Sequence, residues 1–302
     1  IPGSLVGSEM CIRDSPYVSF FWLLFLSLVL LMICLIDDLI TLPVWARLFA
    51  QVSCTILMIQ LGDMNLINLG AIFGGNDLVL PSYFAFLFTI FCVVGITNAF
   101  NWIDGIDGFF SFQVLLALMG LIIISSGGFN LTHLSFLAAL LPYSIMNLGL
   151  LGKKFKVFIG DHGAMMIGFF LACSFIFLTQ DPLNIYEQTV RPVEALWCVG
   201  LVLLNALRVI WKRFIKKLSI FSSDREHIHH YFLDQGFSNH QTLLIVCLIS
   251  FSISAFGSLL FFLNTPEWLS LLIFLSILLI WSWIGKFSNQ KTKIQESLQS
   301  SK

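Results

Sequence analysis

Nine apolar stretches follow one another along this chain, each at or near the length of a bilayer crossing, and no other feature narrows its fold as far. They cover approximately residues 17–36, 44–61, 83–97, 109–126, 131–150, 164–180, 193–210, 241–263 and 268–285. A transmembrane helix needs about 20 predominantly apolar residues, so the third stretch is short unless it extends past Asn98. Charged residues make up only 11% of the 302 and hydrophobic ones 58%, where a soluble domain carries about a quarter charged. The expected fold is therefore all-α, a polytopic transmembrane helical bundle of about nine spans, without internal repeat or soluble domain. Seven cysteines are present, six of them inside apolar stretches and none in a C-x-x-C pair. They read as small core residues, not as disulfides or metal ligands.

Three parts are expected. Residues 1–15 (IPGSLVGSEMCIRDS) match neither a signal peptide nor a span. They resemble translated sequencing-adapter sequence, and native residues before Pro16 are expected to be missing. Residues 16–285 form the transmembrane domain, and residues 286–302 a polar cytoplasmic tail.

Lysine and arginine set the orientation, because cytoplasmic loops carry an excess of both. If the loop after Asp37 is cytoplasmic, that side holds Arg47, Lys153, Lys154, Lys156, Arg208, Lys212, Arg213, Lys216, Lys217, Arg225, Lys286, Lys291, Lys293 and Lys302. The other side holds Arg191, and Arg13 falls in the leader. The same alternation puts the polar residues at 37–38, 98–107, 153–161 and 211–240 on one face, the cytoplasmic one.

Residues 95–108, GITNAFNWIDGIDG, set Asn98, Asn101, Asp104 and Asp107 at the mouth of the third stretch, with Gly105 and Gly108 behind the two acids. An Asp at a helix centre in a bilayer costs about 2.5–3.5 kcal/mol, so such groups sit at an interface or line a polar cavity. Neighbours three apart share a helix face, but the full set drifts by about 60° per step on a 3.6-residue helix. The glycines point to a helix that opens into a loop, its acids gathered around a cation or a phosphate. Simple caps on a helix end are the bland alternative, which four such residues at this spacing disfavour.

Asp37 and Asp38 close the first stretch as adjacent acids, which repel each other unless a cation or phosphate partner is near. One reads as a general base, or both orient a metal-bound substrate; acids that merely end a helix are the alternative. Gly160-Asp161-His162-Gly163 follows the basic run Lys153, Lys154 and Lys156. An acid there suits Mg²⁺, which takes few carboxylates plus substrate phosphates, and a helix N-terminus favours an anion. An ordinary N-cap at Asp161 is the competing reading. Arg208, Lys212, Arg213, Lys216 and Lys217 form a basic stripe that reads as flank or headgroup contact. Beyond it, Arg225, His227, His229 and His230 can donate several hydrogen bonds to a diphosphate. Zinc is the weaker option there, with no cysteine near and no standard ligand spacing.

Taken in order, LIDD, NAFNWIDGIDG, GDHGAMMIG and DREHIHH resemble the bacterial polyprenyl-phosphate N-acetylhexosamine-1-phosphate transferases of glycosyltransferase family 4, over about residues 17–285. The related phospho-N-acetylmuramoyl-pentapeptide transferases share the Asp-rich motifs, but DREHIHH looks like the aminosugar branch. The resemblance implies an enzyme dependent on Mg²⁺, with Mn²⁺ as the substitute metal. Polyprenyl (undecaprenyl) phosphate would attack the β-phosphate of a UDP-N-acetylhexosamine, GlcNAc being the first sugar to try. UMP would leave, in the first membrane step of cell-envelope polysaccharide synthesis. The active site would face the cytoplasm from the bacterial inner (plasma) membrane. Nucleic acid is not an implied partner, and a homodimer stays open.

By motif, the resemblance implies that Asp161 and Asn101 hold the metal. Asp104 and Asp107 would shape the nucleotide-sugar site, and Asp37 or Asp38 would deprotonate or position the lipid phosphate; these four acids are the implied catalytic set. Asn98, Arg225, His227, His229 and His230 would bind substrate. The lipid phosphate, with a second pKa of about 6, needs little base help, so positioning and charge neutralisation carry most of the catalysis. Three departures stand out: Ala164 where the family's G-D-x-G-S has serine, Asn205 where an acid is usual, and Ser223 where a proline is usual. Ala164 and Asn205 support a degraded relative that binds lipid phosphate or a partner glycosyltransferase. A transporter is the other alternative, disfavoured because the acids gather at one face and no inverted repeat is present.

Overall fold

The computed structural model describes residues 16–40, 42–103, 105–124, 131–180, 190–215, 217, 232–233 and 235–281; side chains at 16–17, 131–133 and 153 fall outside the description. Among the described residues the regular elements are helices, apart from one isolated antiparallel bridge between Asn68 and Val79. In chain order they are α1 (Pro16–Ile40), α2 (Val44–Gly62), α3 (Ser82–Asn101), α4 (Phe109–Ile124), α5 (Leu131–Asn147), α6 (Gly160–Gln180), α7 (Pro192–Cys198), α8 (Gly200–Ile215), α9 (Asn239–Phe262) and α10 (Glu267–Trp281). Lipid offers no partner for a backbone N–H or C=O, so apolar runs of this length close their hydrogen bonds internally, as helices do. The chain is a helical membrane protein.

Five described helices, α1, α2, α3, α6 and α9, are long and apolar enough to cross a membrane, and α7 with α8 makes a sixth if that bent pair is one span. Helices α4, α5 and α10 are apolar but shorter. The expected count of about nine spans is therefore five or six by helix length. Hydropathy marks apolar material wherever it lies: Leu148, Leu150 and Leu151 lengthen the apolar count of α5 but belong to the turn after it. The stretch at 193–210 is also not one straight helix. It breaks between α7 and α8 through 86°. Polar groups of the following helices meet that break: Ser254 Oγ donates to the Trp197 carbonyl at 3.0 Å, and the Trp197 indole donates to Ser270 Oγ at 2.9 Å.

Helix α6 is the axis of the bundle, buried along nearly all its length and packed most extensively on α3 and α1. A helix apolar on every side suits such a place. Small residues decide how closely it can pack, since lipid provides no hydrophobic drive between helices. At Gly168 a Cβ would lie 3.0 Å from the Thr97 Cα and 3.1 Å from the Thr97 carbonyl oxygen, so α3 and α6 touch there nearly backbone to backbone. Helix α2 packs on α1 and α3, while α4 packs on α5, α7 and α9. Inside the apolar interior Ser250 of α9 donates to Gln113 of α4 at 2.7 Å. Cys34, Cys54, Cys173 and Cys198 are buried and unbridged, as small core residues.

Among the described residues, the segments between helices gather at two ends of the bundle. At one, Gln180 closes α6 by clamping the segment after α2: its Oε1 accepts from the Ile67 and Asn68 amides at 2.9 and 2.8 Å, and its Nε2 donates to the Asn68 carbonyl at 2.9 Å. Arg191 Nη1 donates to the Thr265 carbonyl at the same end, at 3.1 Å. At the other end the C-termini of α1 and α3 meet the N-termini of α2 and α6. The acids are there.

Candidate active site

Asp37 sits at the last turn of α1 with its side chain only 12% exposed. Its Oδ1 accepts the Leu42 amide at 2.6 Å, and its Oδ2 lies 3.4 Å from Nε of Arg47, in the first turn of α2. Arg47 reaches a second acid: its Nη1 is 3.6 Å from Oδ2 of Asp161, which stands in the first turn of α6 with a side chain 60% exposed. Asp38, half exposed, bonds instead to Nδ1 of His162 at 2.7 Å. Successive residues on a helix point about 100° apart, so the adjacent acids part towards different partners. Arg47 sets a positive charge beside Asp37, and His162 gives Asp38 a hydrogen-bond partner.

The end of α3 supplies a second cluster. The helix includes Asn98 and Asn101 and then opens, so the third stretch does borrow these residues and the loop begins where the glycines indicated. Asn98 Nδ2 donates both to Gln51 Oε1 at 2.7 Å and to the Val94 carbonyl at 2.8 Å. That uses both of its N–H groups and leaves its carbonyl oxygen as the end able to accept. Gln51, buried in α2, also places its Nε2 3.5 Å from Met165 Sδ of α6. Asn101 Oδ1 is buried and has no hydrogen-bond partner among the described residues.

Asp107 follows in the loop after α3. It forms an ion pair with Lys156, whose ammonium also lies 5.2 Å from the Phe158 ring. Gly108 has φ +82°, a conformation glycine adopts without steric cost, and its amide donates to Asn147 Oδ1 at 2.6 Å. Asn147 Nδ2 in turn donates to the Val157 carbonyl at 2.9 Å. The loop after α3 and the segment before α6 are thus laced together. Asn147→Ala removes both bonds and leaves the buried Gly108 amide unsatisfied, a cost of about 1–3 kcal/mol. A lower melting temperature in detergent, with weakened activity from a loosened Asp107 loop, is the expected result.

The basic stripe is not wholly a headgroup flank. Arg208 and Arg213 are buried, their guanidinium carbons 6.0 Å from the Trp281 ring and 5.4 Å from the Trp102 ring respectively. The second contact brings the end of α8 onto the loop after α3. Asp104, Arg225, His227, His229 and His230 lie outside the described residues. Arg47, Gln51, Asn147 and His162 are the residues motif reading passed over. The first two carried a signal: polar side chains four apart in an apolar helix share a face and are costly in a membrane unless they have work there.

Among the described residues no three His, Cys, Asp or Glu side chains gather into a metal cluster. The candidate oxygen donors are the exposed Asp161 carboxylate, at the start of α6, and the orphaned Asn101 oxygen, at the end of α3. Oxygen donors few in number fit a hard cation such as Mg²⁺, which binds through one or two carboxylates and substrate phosphates. An apolar cavity of about 260 Å³ lies apart from the acids, towards the other end, lined by Leu69, Phe88, Cys92, Ile96, Phe175 and Leu196. It ends at Ile96, close in the chain to Asn98. With so little polar lining it is no place for ionic chemistry.

The family described as glycosyl transferase family 4 has a model that matches residues 20–179. The chain is also 35% identical over 263 residues to the undecaprenyl-phosphate alpha-N-acetylglucosaminyl 1-phosphate transferase of Escherichia coli O157:H7, covering 85% of this chain and 70% of that protein. This chain belongs to glycosyl transferase family 4. The proteins of the same printed name from Yersinia pestis and Haemophilus influenzae are each 34% identical to it, over 258 and 252 residues. They cover 83% and 81% of this chain, and it covers 69% of each. The part matched by the family 4 model contains both clusters, from Asp37 to Asp161.

Proposed function

We propose that this family 4 protein transfers the sugar-1-phosphate of a UDP-N-acetylhexosamine, GlcNAc first among them, to undecaprenyl phosphate. The products are polyprenyl-diphosphate-sugar and UMP. The observation that carries the reading is the meeting of Asp37, Asp38, Arg47 and Asp161 at one end of the bundle, in a chain whose relatives are named for that transfer. We place that end on the cytoplasmic face of the bacterial inner membrane, where lysine and arginine concentrate. If α4, α5 and α10 each cross as well, the spans number nine.

In this reading an oxygen of the lipid phosphate forms a bond to the β-phosphorus, the bond from that phosphorus to the bridging oxygen breaks, and UMP departs with the bridging oxygen. The acceptor is largely a dianion at neutral pH, its second pKa being about 6, so no side chain has to take a proton from it. The chain's task is orientation and charge balance. Asp161 and Asn101 would hold Mg²⁺, or Mn²⁺, which when bound neutralises and aligns the diphosphate oxygens. Asp37, fixed by the Leu42 amide and Arg47, is a wall of the site; Asp38 is the exposed acid of the pair and the one able to touch substrate. Asn98 offers an acceptor oxygen to a substrate hydroxyl. Asp104 and Asp107, the latter paired with Lys156, would shape the nucleotide-sugar site. Arg225, His227, His229 and His230 receive the diphosphate. The apolar cavity suits part of an isoprenoid chain.

Membranes containing the chain, given undecaprenyl phosphate, Mg²⁺ and a panel of UDP-N-acetylhexosamines, should release UMP with one sugar preferred. Release should cease without acceptor or metal. Folded protein that releases UMP from none of them would overturn the proposal.

A further inference from the structure

We propose that Arg47 binds the phosphate monoester of the acceptor lipid, an assignment that rests on the transferase reading for the identity of its ligand. Arg47 stands between Asp37 and Asp161 at 3.4 and 3.6 Å. Both contacts are longer than the roughly 2.7–2.9 Å of a charge-assisted hydrogen bond. Its Nε is buried and has no hydrogen-bond partner among the described residues. The guanidinium is held by charge between two acids, yet its donors are not used up. A guanidinium presents several N–H groups in a planar fork that matches phosphate oxygens two at a time. The acids alone would repel a phosphate dianion, and Arg47 offsets that charge.

Its surroundings select a lipid over a water-soluble phosphate. Arg47 stays 23% exposed. The turn from α1 into α2 and the first turns of α2 present Leu39, Ile40, Trp45 and Phe49 outward, at 83%, 63%, 74% and 74% exposure. Trp45 and Phe49, four apart, share the face of α2 turned away from Arg47, towards lipid. This is an apolar skin at the end of the bundle where the acids lie, and a tryptophan there suits the headgroup level. An amphiphile with an isoprenoid chain in the bilayer and a phosphate at its tip would bring that tip to Arg47. A sugar nucleotide arriving from water gains nothing from Trp45 and Phe49.

The test is direct binding to purified full-length protein in nanodiscs with Mg²⁺ and without UDP-sugar, using fluorescent undecaprenyl phosphate as probe and neutral polyprenol and inorganic phosphate as competitors. Arg47→Gln should weaken the lipid phosphate by at least about tenfold, as loss of charge-assisted hydrogen bonds does. Polyprenol affinity should stay unchanged. Arg47→Lys, which keeps the charge and loses the fork, should restore only part of the binding. Unchanged lipid-phosphate affinity in Arg47→Gln, with a lowered melting temperature, would make Arg47 a bridge between α1 and α6 and overturn the assignment. So would an equal loss for phosphate and alcohol, or displacement of the probe by inorganic phosphate as readily as by the lipid. The measurement needs no turnover, so absent UMP release would count against the transferase reading and leave the Arg47 result standing or falling on its own.

Discussion

Asp161→Asn is expected to lower metal-dependent UMP release by about 10²–10³-fold or more, the range seen when one group that stabilises transition-state charge is removed. The fold should scarcely notice. Asp161 is 60% exposed and its ion pair with Arg47 is 3.6 Å long, and contacts of that kind contribute about 0–1 kcal/mol. The substituted amide keeps the size and one oxygen of the acid but loses the charge that a hard cation seeks. Activity and stability therefore separate: UMP release collapses while the melting temperature stays close to that of the parent. Manganese titration followed by electron paramagnetic resonance should show weaker binding to the Asp161→Asn protein, and weaker binding also to Asn101→Leu, which removes the orphaned buried oxygen. Near-parental UMP release from Asp161→Asn would take the metal role away from α6. The acceptor-side residues Asp37 and Arg47 would then need a different partner for the diphosphate.

What the sequence disclosed and what it hid divide along a physical line. Polar residues in an apolar chain are conspicuous, because each is costly in lipid. The opening of α3 after Asn101 and the gathering of Asp37, Asp38 and Asp161 at one end were legible for that reason. Apolar residues are not conspicuous, because lipid tails and a protein interior are alike to them. Mean hydropathy does not mark α6 as the buried axis; its small residues Gly163, Ala164, Gly168 and Ala172, absent in kind from α1, are the quieter signal. The 86° break between α7 and α8 lies within a continuous apolar run, and the groups that accommodate it, Ser254 and Ser270, are distant in sequence. The basic residues misled in the opposite direction. Arg47 counted only as a topological charge, and Arg208 and Arg213 as headgroup contacts, although both of the latter are buried against tryptophans. Asp107 is tied to Lys156, a partner 49 positions along the chain that spacing does not disclose.

Gly168→Val should cost most of the activity by way of packing, since this contact sets the distance between the two clusters. A Cβ at residue 168 would stand 3.0 Å from the Thr97 Cα, 3.1 Å from the Thr97 carbonyl oxygen and 3.1 Å from the Phe100 Cβ. Two of those three atoms are backbone and cannot rotate aside, so α3 itself has to move away from α6. Overpacking of this kind costs about 1–3 kcal/mol, and occasionally more. Valine adds two methyls beyond the Cβ and belongs at the upper end. The displacement matters more than the energy: α3 carries Asn98 and Asn101, α6 carries Asp161, and a misplacement of about 1 Å can lower a rate about 10²-fold. Gly168→Ala should give a smaller fall in both melting temperature and UMP release. Gly95→Ala, in the same helix α3 with nothing within 4 Å of its Cβ position, is the matched control. It should be neutral or slightly stabilising, alanine being favoured over glycine in a helix by about 1 kcal/mol. If Gly168→Val melts and turns over like the parent, the close contact with Thr97 does not set the spacing, and the Gln51 link between Asn98 and Met165 becomes the element that holds α3 to α6 at the site.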